Sequence, residues 1–227
     1  MKPTWAEDFP KLYEIYCESD KADEANYFAK FDEALEMHLA RFDYEQLEEE
    51  LRQLDDAAWQ EFKQKALAYV TTKDSCRGYH QIFDCFNEVK GYLYLKSEGC
   101  ENIHFILESS VTSPDLRACY GSSTVLLEVK TINKSKEDID WFNAYPPQAK
   151  EAIQGLGDPL KRKIADDISK AKSQLLDYAS EGVKRRIVYL VINLDTLHAL
   201  DQRNFDDLAV YMQTQGDAQI EVQYCCI

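Results

Sequence analysis

The sequence predicts an α/β (α+β) protein, with a mixed central sheet flanked by helices in the order αβββαβ and a helical extension before it. Three observations predict this. Residues 11–77 contain neither Gly nor Pro and place apolar side chains every three or four positions. Three short strand-like segments then follow one another, with turn residues between them. An amphipathic stretch next precedes the continuous apolar run Ile187-Val188-Tyr189-Leu190-Val191-Ile192, which marks a strand covered on both faces. Hairpin connections followed by a crossover helix imply a mixed sheet.

In order along the chain, Phe28, Phe31, Leu35, Leu39 and Phe42 form one helical stripe, and Leu47, Leu51, Leu54, Ala58 and Phe62 form a second. Residues 79–96 predict a helix with Ile82, Phe86, Val89 and Leu93 on one side. Residues 103–107 predict a strand, Ser113-Pro114 a turn, 116–120 a second strand, and 124–132 a third, entered through Gly121-Ser122-Ser123. The connection over 133–159 contains Pro146-Pro147 and Gly155-Leu156-Gly157, and a connection of that length is often functional. A helix over 160–180, the strand over 187–192, a helix over 205–212 and a strand over 219–225 complete the chain. There is no internal repeat and no low-complexity segment.

The 227 residues suit one domain with an appendage, divided as an acidic helical extension or cap over 1–77 and a core over 78–227. A 45% hydrophobic and 12% aromatic content is enough to build a core. The formal net charge is -15. Its carboxylates are densest over 7–74, whereas 130–186 is slightly more basic than acidic. Nucleic-acid affinity usually comes from Lys and Arg neutralising phosphates, so a nucleic-acid partner would have to meet a local basic face. Such residues cluster at Lys161-Arg162-Lys163, Lys170, Lys172 and Lys184-Arg185-Arg186.

Seven cysteines, an odd number without a CxxC pair, fit free thiols in a reducing cytoplasm. The first ten residues lack the apolar core of a secretory signal, and no apolar run approaches the roughly 20 residues of a membrane helix. Several chemistries are unsupported. The histidines show no HExxH spacing, and neither GxxxxGK[ST], GxGxxG nor GxSxG occurs.

Pro114-Asp115 and Glu128-Val129-Lys130 carry the chemistry. Asp115 opens one strand and Glu128 lies on the next, so a hairpin can bring the two carboxylates together. Glu128 and Lys130 share a strand face because side chains alternate. Two carboxylates supply hard oxygen ligands for Mg²⁺, and an ammonium beside them can stabilise charge in phosphodiester cleavage. The bland alternatives are a turn residue at Asp115 and an exposed ion pair on an edge strand.

These residues resemble the signature of the PD-(D/E)XK (restriction-endonuclease-like) nuclease superfamily, whose core is also αβββαβ. The likeness covers about residues 78–195. It implies a Mg²⁺-dependent nuclease (with Mn²⁺ as a substitute) acting on nucleic acid, with DNA as the expected substrate. The metal would be held by Asp115, Glu128, the Val129 carbonyl and Glu88 of the preceding helix, and Lys130 would orient the attacking water. Gln174 and Tyr178 match the Gln-xxx-Tyr element of the RecB-like exonuclease branch, which places them beside the substrate strand or the active-site lysine. Lys170, in the basic cluster that flanks this helix, could contact the phosphates of the substrate. Trp141, Phe142 and Tyr145 could stack on bases. The alternative is a non-catalytic interaction protein on the same fold, binding nucleic acid or protein, with the acidic N-terminal helices as partner surface or autoinhibitory cap.

Overall fold

The computed structural model describes residues 3–75, 78–107, 113–133, 157–178, 181–193 and 202–227. The side chains of Leu39 and Phe42, and Trp141, Phe142 and Tyr145, lie outside the described residues. The class is α/β, with helices and a sheet of five strands. The chain divides into two compact units, one of residues 1–111 and 116–118, the other of 112–115 and 119–227.

The first unit contains α1 (Pro10–Glu18), α2 (Phe31–Leu35), α3 (His38–Leu51), α4 (Asp56–Leu67), α5 (His80–Ser97) and β1 (Glu101–Phe105). Its core is aromatic. Phe31, 2% exposed, meets the rings of Trp5, Phe9, Tyr27, Phe28 and Tyr44. The predicted second stripe is divided between two helices. Helix α3 ends at Leu51, and Asp55 starts α4 by accepting the Ala58 amide at 2.9 Å. An N-cap carboxylate does here what a Gly or Pro would have done. Helix α1 has Pro10 at its first turn, and the buried Glu48 accepts the Lys11 and Leu12 amides at 2.9 and 3.2 Å. On α5, Ile82, Phe86 and Val89 are buried as predicted, whereas Leu93 is half-buried and Tyr92 and Leu95 fill the core.

Strand β2 (Leu116–Tyr120) is shared between the units and joins β3 (Ser123–Ile132) through Gly121-Ser122. Gly121 takes φ 57°, the positive angle that primed two-residue turns require and that Gly adopts without steric penalty. A two-residue connection can join only antiparallel neighbours. The spatial order is β1-β2-β3-β4-β5.

The rest of the second unit is α6 (Asp158–Asp177), β4 (Val183–Ile192), α7 (Gln202–Gln213) and β5 (Glu221–Cys226). Strand β3 pairs parallel with β4, Glu128 opposite Val188 and Lys130 opposite Leu190, and β4 pairs parallel with β5. With the antiparallel hairpin, this makes the sheet mixed. Leu160, Ile164, Ile168, Ala171 and Leu175 form the buried stripe of α6, packed with Leu126, Ile132, Val188, Leu190, Ile192 and Leu208.

Strand β4 starts earlier than its apolar run. Arg185 clasps Glu221 of β5 through two hydrogen bonds of 2.8 and 2.7 Å, and Arg186 donates to the Leu175 carbonyl at 3.1 Å. These charged side chains find partners, so they do not end the strand. Among the described residues, no helix is long and apolar enough to cross a membrane.

Candidate functional site

The hairpin brings Asp115 to the Glu128-Val129-Lys130 stretch. Counting outward from the Gly121-Ser122 turn, β3 runs on past the residues that β2 can pair. The Val129 amide then needs another acceptor. The Asp115 carboxylate provides it, with Oδ2 accepting Val129 N–H at 2.8 Å. In a strand, the N–H and C=O of one residue point to the same neighbour, so the Val129 carbonyl lies on the side that Asp115 occupies.

Glu128 and Lys130 project from the sheet face that carries Leu126 and Ile132, the face packed by α6. Glu128 is 1% exposed. The Lys130 ammonium donates to Glu128 Oε1 at 2.6 Å. Such burial of a carboxylate requires a paired cation or a ligand. Gln174, on α6, completes the cluster: its Oε1 accepts from Lys130 Nζ at 3.5 Å, and its Nε2 donates to the Ser113 carbonyl at 2.7 Å. It thereby ties the turn before Asp115 to the lysine.

Burial alone would push the Lys130 ammonium down. The charge and hydrogen bond of Glu128, with the charges of Asp115 and Asp167, outweigh that and hold it above the ordinary lysine value. Lys130 is therefore a cation at neutral pH. It can donate hydrogen bonds to an anion but cannot take up a proton.

Asp115, Glu128 and the Val129 carbonyl offer hard oxygen donors of the kind that Mg²⁺ prefers. Among the described residues, no three His, Cys, Asp or Glu side chains gather as a metal site. A cation held here would use two carboxylates, a main-chain carbonyl and water, which fits the open coordination Mg²⁺ usually keeps.

The remaining predicted site residues have the following surroundings. Glu88 belongs to the first unit, where it is 7% exposed and its carboxylate accepts from Lys65 Nζ at 2.7 Å. Tyr178 ends α6 and packs, half-buried, against the apolar cluster of the second unit. Lys170 is 72% exposed at its side chain and pairs with Asp167 at 3.5 Å.

Much of the basic cluster makes ties within the second unit. Lys172 holds Asp217 and the Gln215 carbonyl at 2.9 Å each, and Arg185 and Arg186 are engaged as above. Ser113 and Asp167 had not been expected. Asp167 lies two helical turns before Gln174, a spacing that puts both on one face, but its proximity to Lys130 is a tertiary fact.

No family model matches the chain, and no curated protein or solved structure matches it either.

Proposed function

We propose that the chain is a metal-dependent nuclease of the restriction-endonuclease-like type, hydrolysing phosphodiester bonds, with DNA as the substrate. The observation that carries the reading is the Asp115–Val129 hydrogen bond. It fixes one carboxylate beside the strand that presents Glu128 and Lys130. The succession α5, β1, β2, β3, α6, β4, with β4 parallel to β3, supports the same reading.

Asp115, Glu128 and the Val129 carbonyl would hold Mg²⁺, or Mn²⁺ in its place. When bound, the cation supplies Lewis acidity toward a phosphoryl oxygen. The Lys130 ammonium donates to the anionic phosphate or to the attacking water, and it is aimed before substrate arrives. Gln174 sets its position. The amide of Val129 keeps Asp115 from turning toward solvent.

The test is cleavage of linear, circular and single-stranded DNA with Mg²⁺ and with Mn²⁺, using Lys130→Ala as control. Metal-dependent cleavage that the variant loses supports the assignment, and the substrate pattern separates exonuclease from endonuclease. No cleavage of any of these by wild-type protein overturns it.

A second reading has its own observation. Lys130 is already closed on Glu128 at 2.6 Å, as in a structural ion pair, in a chain of net charge -15. On that reading the protein is a non-catalytic interaction module. Undiminished binding of nucleic acid or protein without cleavage would favour it.

A further inference from the structure

We propose that the face of α6 bearing Lys163, Asp167, Lys170 and Gln174 seats the phosphate backbone of the nucleic-acid strand at the Asp115/Glu128/Lys130 site. This inference rests on the nuclease reading and names its substrate track. The four residues follow one another at spacings of four, three and four, which aligns them along one stripe of the helix. That stripe is offset from the buried one of Leu160, Ile164, Ile168, Ala171 and Leu175. At its Gln174 end it touches Lys130.

Lys163 and Lys170 meet at Asp167. One carboxylate oxygen accepts from Lys163 Nζ at 2.8 Å, and the other lies 3.5 Å from Lys170 Nζ. The Asp167 side chain is only 16% exposed, against 29% for Lys163 and 72% for Lys170. The carboxylate is thus more shielded from solvent than either lysine. Asp167 also contributes to the field that holds Lys130 charged.

An ammonium on a flexible stem binds phosphate as a point charge, so both lysines can turn from Asp167 to a ligand. Along the axis they are about 10 Å apart, so the two ammoniums can meet different phosphates of one strand. Lys172, Arg185 and Arg186 each hold a partner on another part of the fold, whereas Asp167 lies on α6 with the two lysines. Asp167 is the counter-ion that the entering phosphates displace. It acts on the substrate through the lysines and is a positioning residue.

The experiment is fluorescence anisotropy of a labelled single-stranded oligodeoxynucleotide, titrated with the full chain in EDTA over a series of salt concentrations. Lys163→Ala and Lys170→Ala should each weaken binding severalfold. Each should also flatten the slope of log affinity against log salt by about 0.7, the share of one phosphate contact on a single strand. Asp167→Asn should tighten binding severalfold, because the competing carboxylate is gone. Lys172→Ala should change neither affinity nor slope. A pair of i,i+4 and i,i+3 bridges that served the helix alone would alter melting temperature and leave the salt slope untouched.

If wild type binds and the Lys163 and Lys170 variants match it in affinity and slope, the track is wrong. The nuclease reading then stands or falls separately, on loss of cleavage in Lys130→Ala. If wild type neither binds nor cuts the DNA, both fail.

Discussion

The carboxylate of Asp115 accepts the amide hydrogen of Val129 at 2.8 Å, so an acid outside the ladder completes the backbone hydrogen bonding of the strand that carries Glu128 and Lys130. A side chain used this way has two roles that substitution can separate. Asp115→Asn keeps an oxygen for the Val129 amide but removes the charge a cation would need. Asp115→Ala removes both. The Asn variant should lose at least a hundredfold in cleavage while unfolding within about 1 kcal/mol of wild type. The Ala variant should lose cleavage and also about 1–3 kcal/mol of stability, as a buried amide is left unsatisfied. Urea unfolding and a cleavage assay on the same preparations decide this. Full activity in Asp115→Asn would remove Asp115 from the chemistry.

The Glu128–Lys130 pair should show strong coupling. Glu128 is 2% exposed at its side chain and Lys130 28%. Removing the lysine takes away the cation paired with a buried carboxylate, which costs about 3–5 kcal/mol in fully buried pairs. Water reaching Lys130 reduces this to an expected loss of about 2 kcal/mol for Lys130→Met. The double variant Glu128→Gln/Lys130→Met should recover most of it. A double-mutant cycle by urea unfolding measures the term. Single effects that add to within about 0.5 kcal/mol would mean that the ion pair contributes no coupling. The same destabilisation requires that cleavage by Lys130 variants be compared at equal folded fraction.

Sequence patterning exposed the second unit better than the first, for physical reasons. Pro114 and Gly121-Ser122 bracket β2, so its predicted bounds, 116–120, coincide with those observed. Strand alternation put Glu128 and Lys130 on one face, as found. The break between α3 and α4 was hidden because Asp55, an ordinary polar residue in sequence, is a helix cap in space. The start of β4 was hidden by Lys184-Arg185-Arg186, whose cost within a sheet depends on partners, Glu221 and the Leu175 carbonyl, that lie far away in sequence. Glu88 is buried rather than solvated, and the lysine that engages it comes from another helix, which periodicity cannot report. The charge of Asp167 at Lys130 arises in the same way, from tertiary packing.

The Arg185–Glu221 pair predicts a pH dependence. Hydrogen bonds from Arg185 lower the Glu221 carboxyl below its ordinary value of 4.5, against the opposing effect of burial. A carboxyl lowered on folding contributes stability that is complete above its unfolded value and is lost as pH falls through the folded one. Glu221 keeps 41% side-chain exposure, so solvent screening limits the effect to about 0.5–1 kcal/mol. Glu221→Gln should be less stable than wild type by that amount at pH 7. The difference should shrink once pH falls below about 4.5. Chemical unfolding across that range checks it. A constant difference would mean that packing, and not charge, distinguishes the variant.

Metal binding can be tested without any substrate. A ligand that binds only the folded state stabilises it by RT ln(1 + [L]/Kd), about 1.4 kcal/mol at ten times Kd. If Asp115 and Glu128 hold Mg²⁺, its addition should raise the melting temperature of wild type by several degrees, since about 1 kcal/mol corresponds to about 2–4 °C in a domain of this size. Asp115→Asn should show no such rise, and Lys130→Met should show a larger one, because Glu128 would lose the ammonium that competes with the cation. An equal ionic strength of NaCl provides the control for simple charge screening. A melting temperature that Mg²⁺ raises equally in wild type and Asp115→Asn would place the ion elsewhere, for instance on the many carboxylates of the first unit. Asp115 would then remain as a support of the Val129 amide, and the non-catalytic reading would gain over the nuclease.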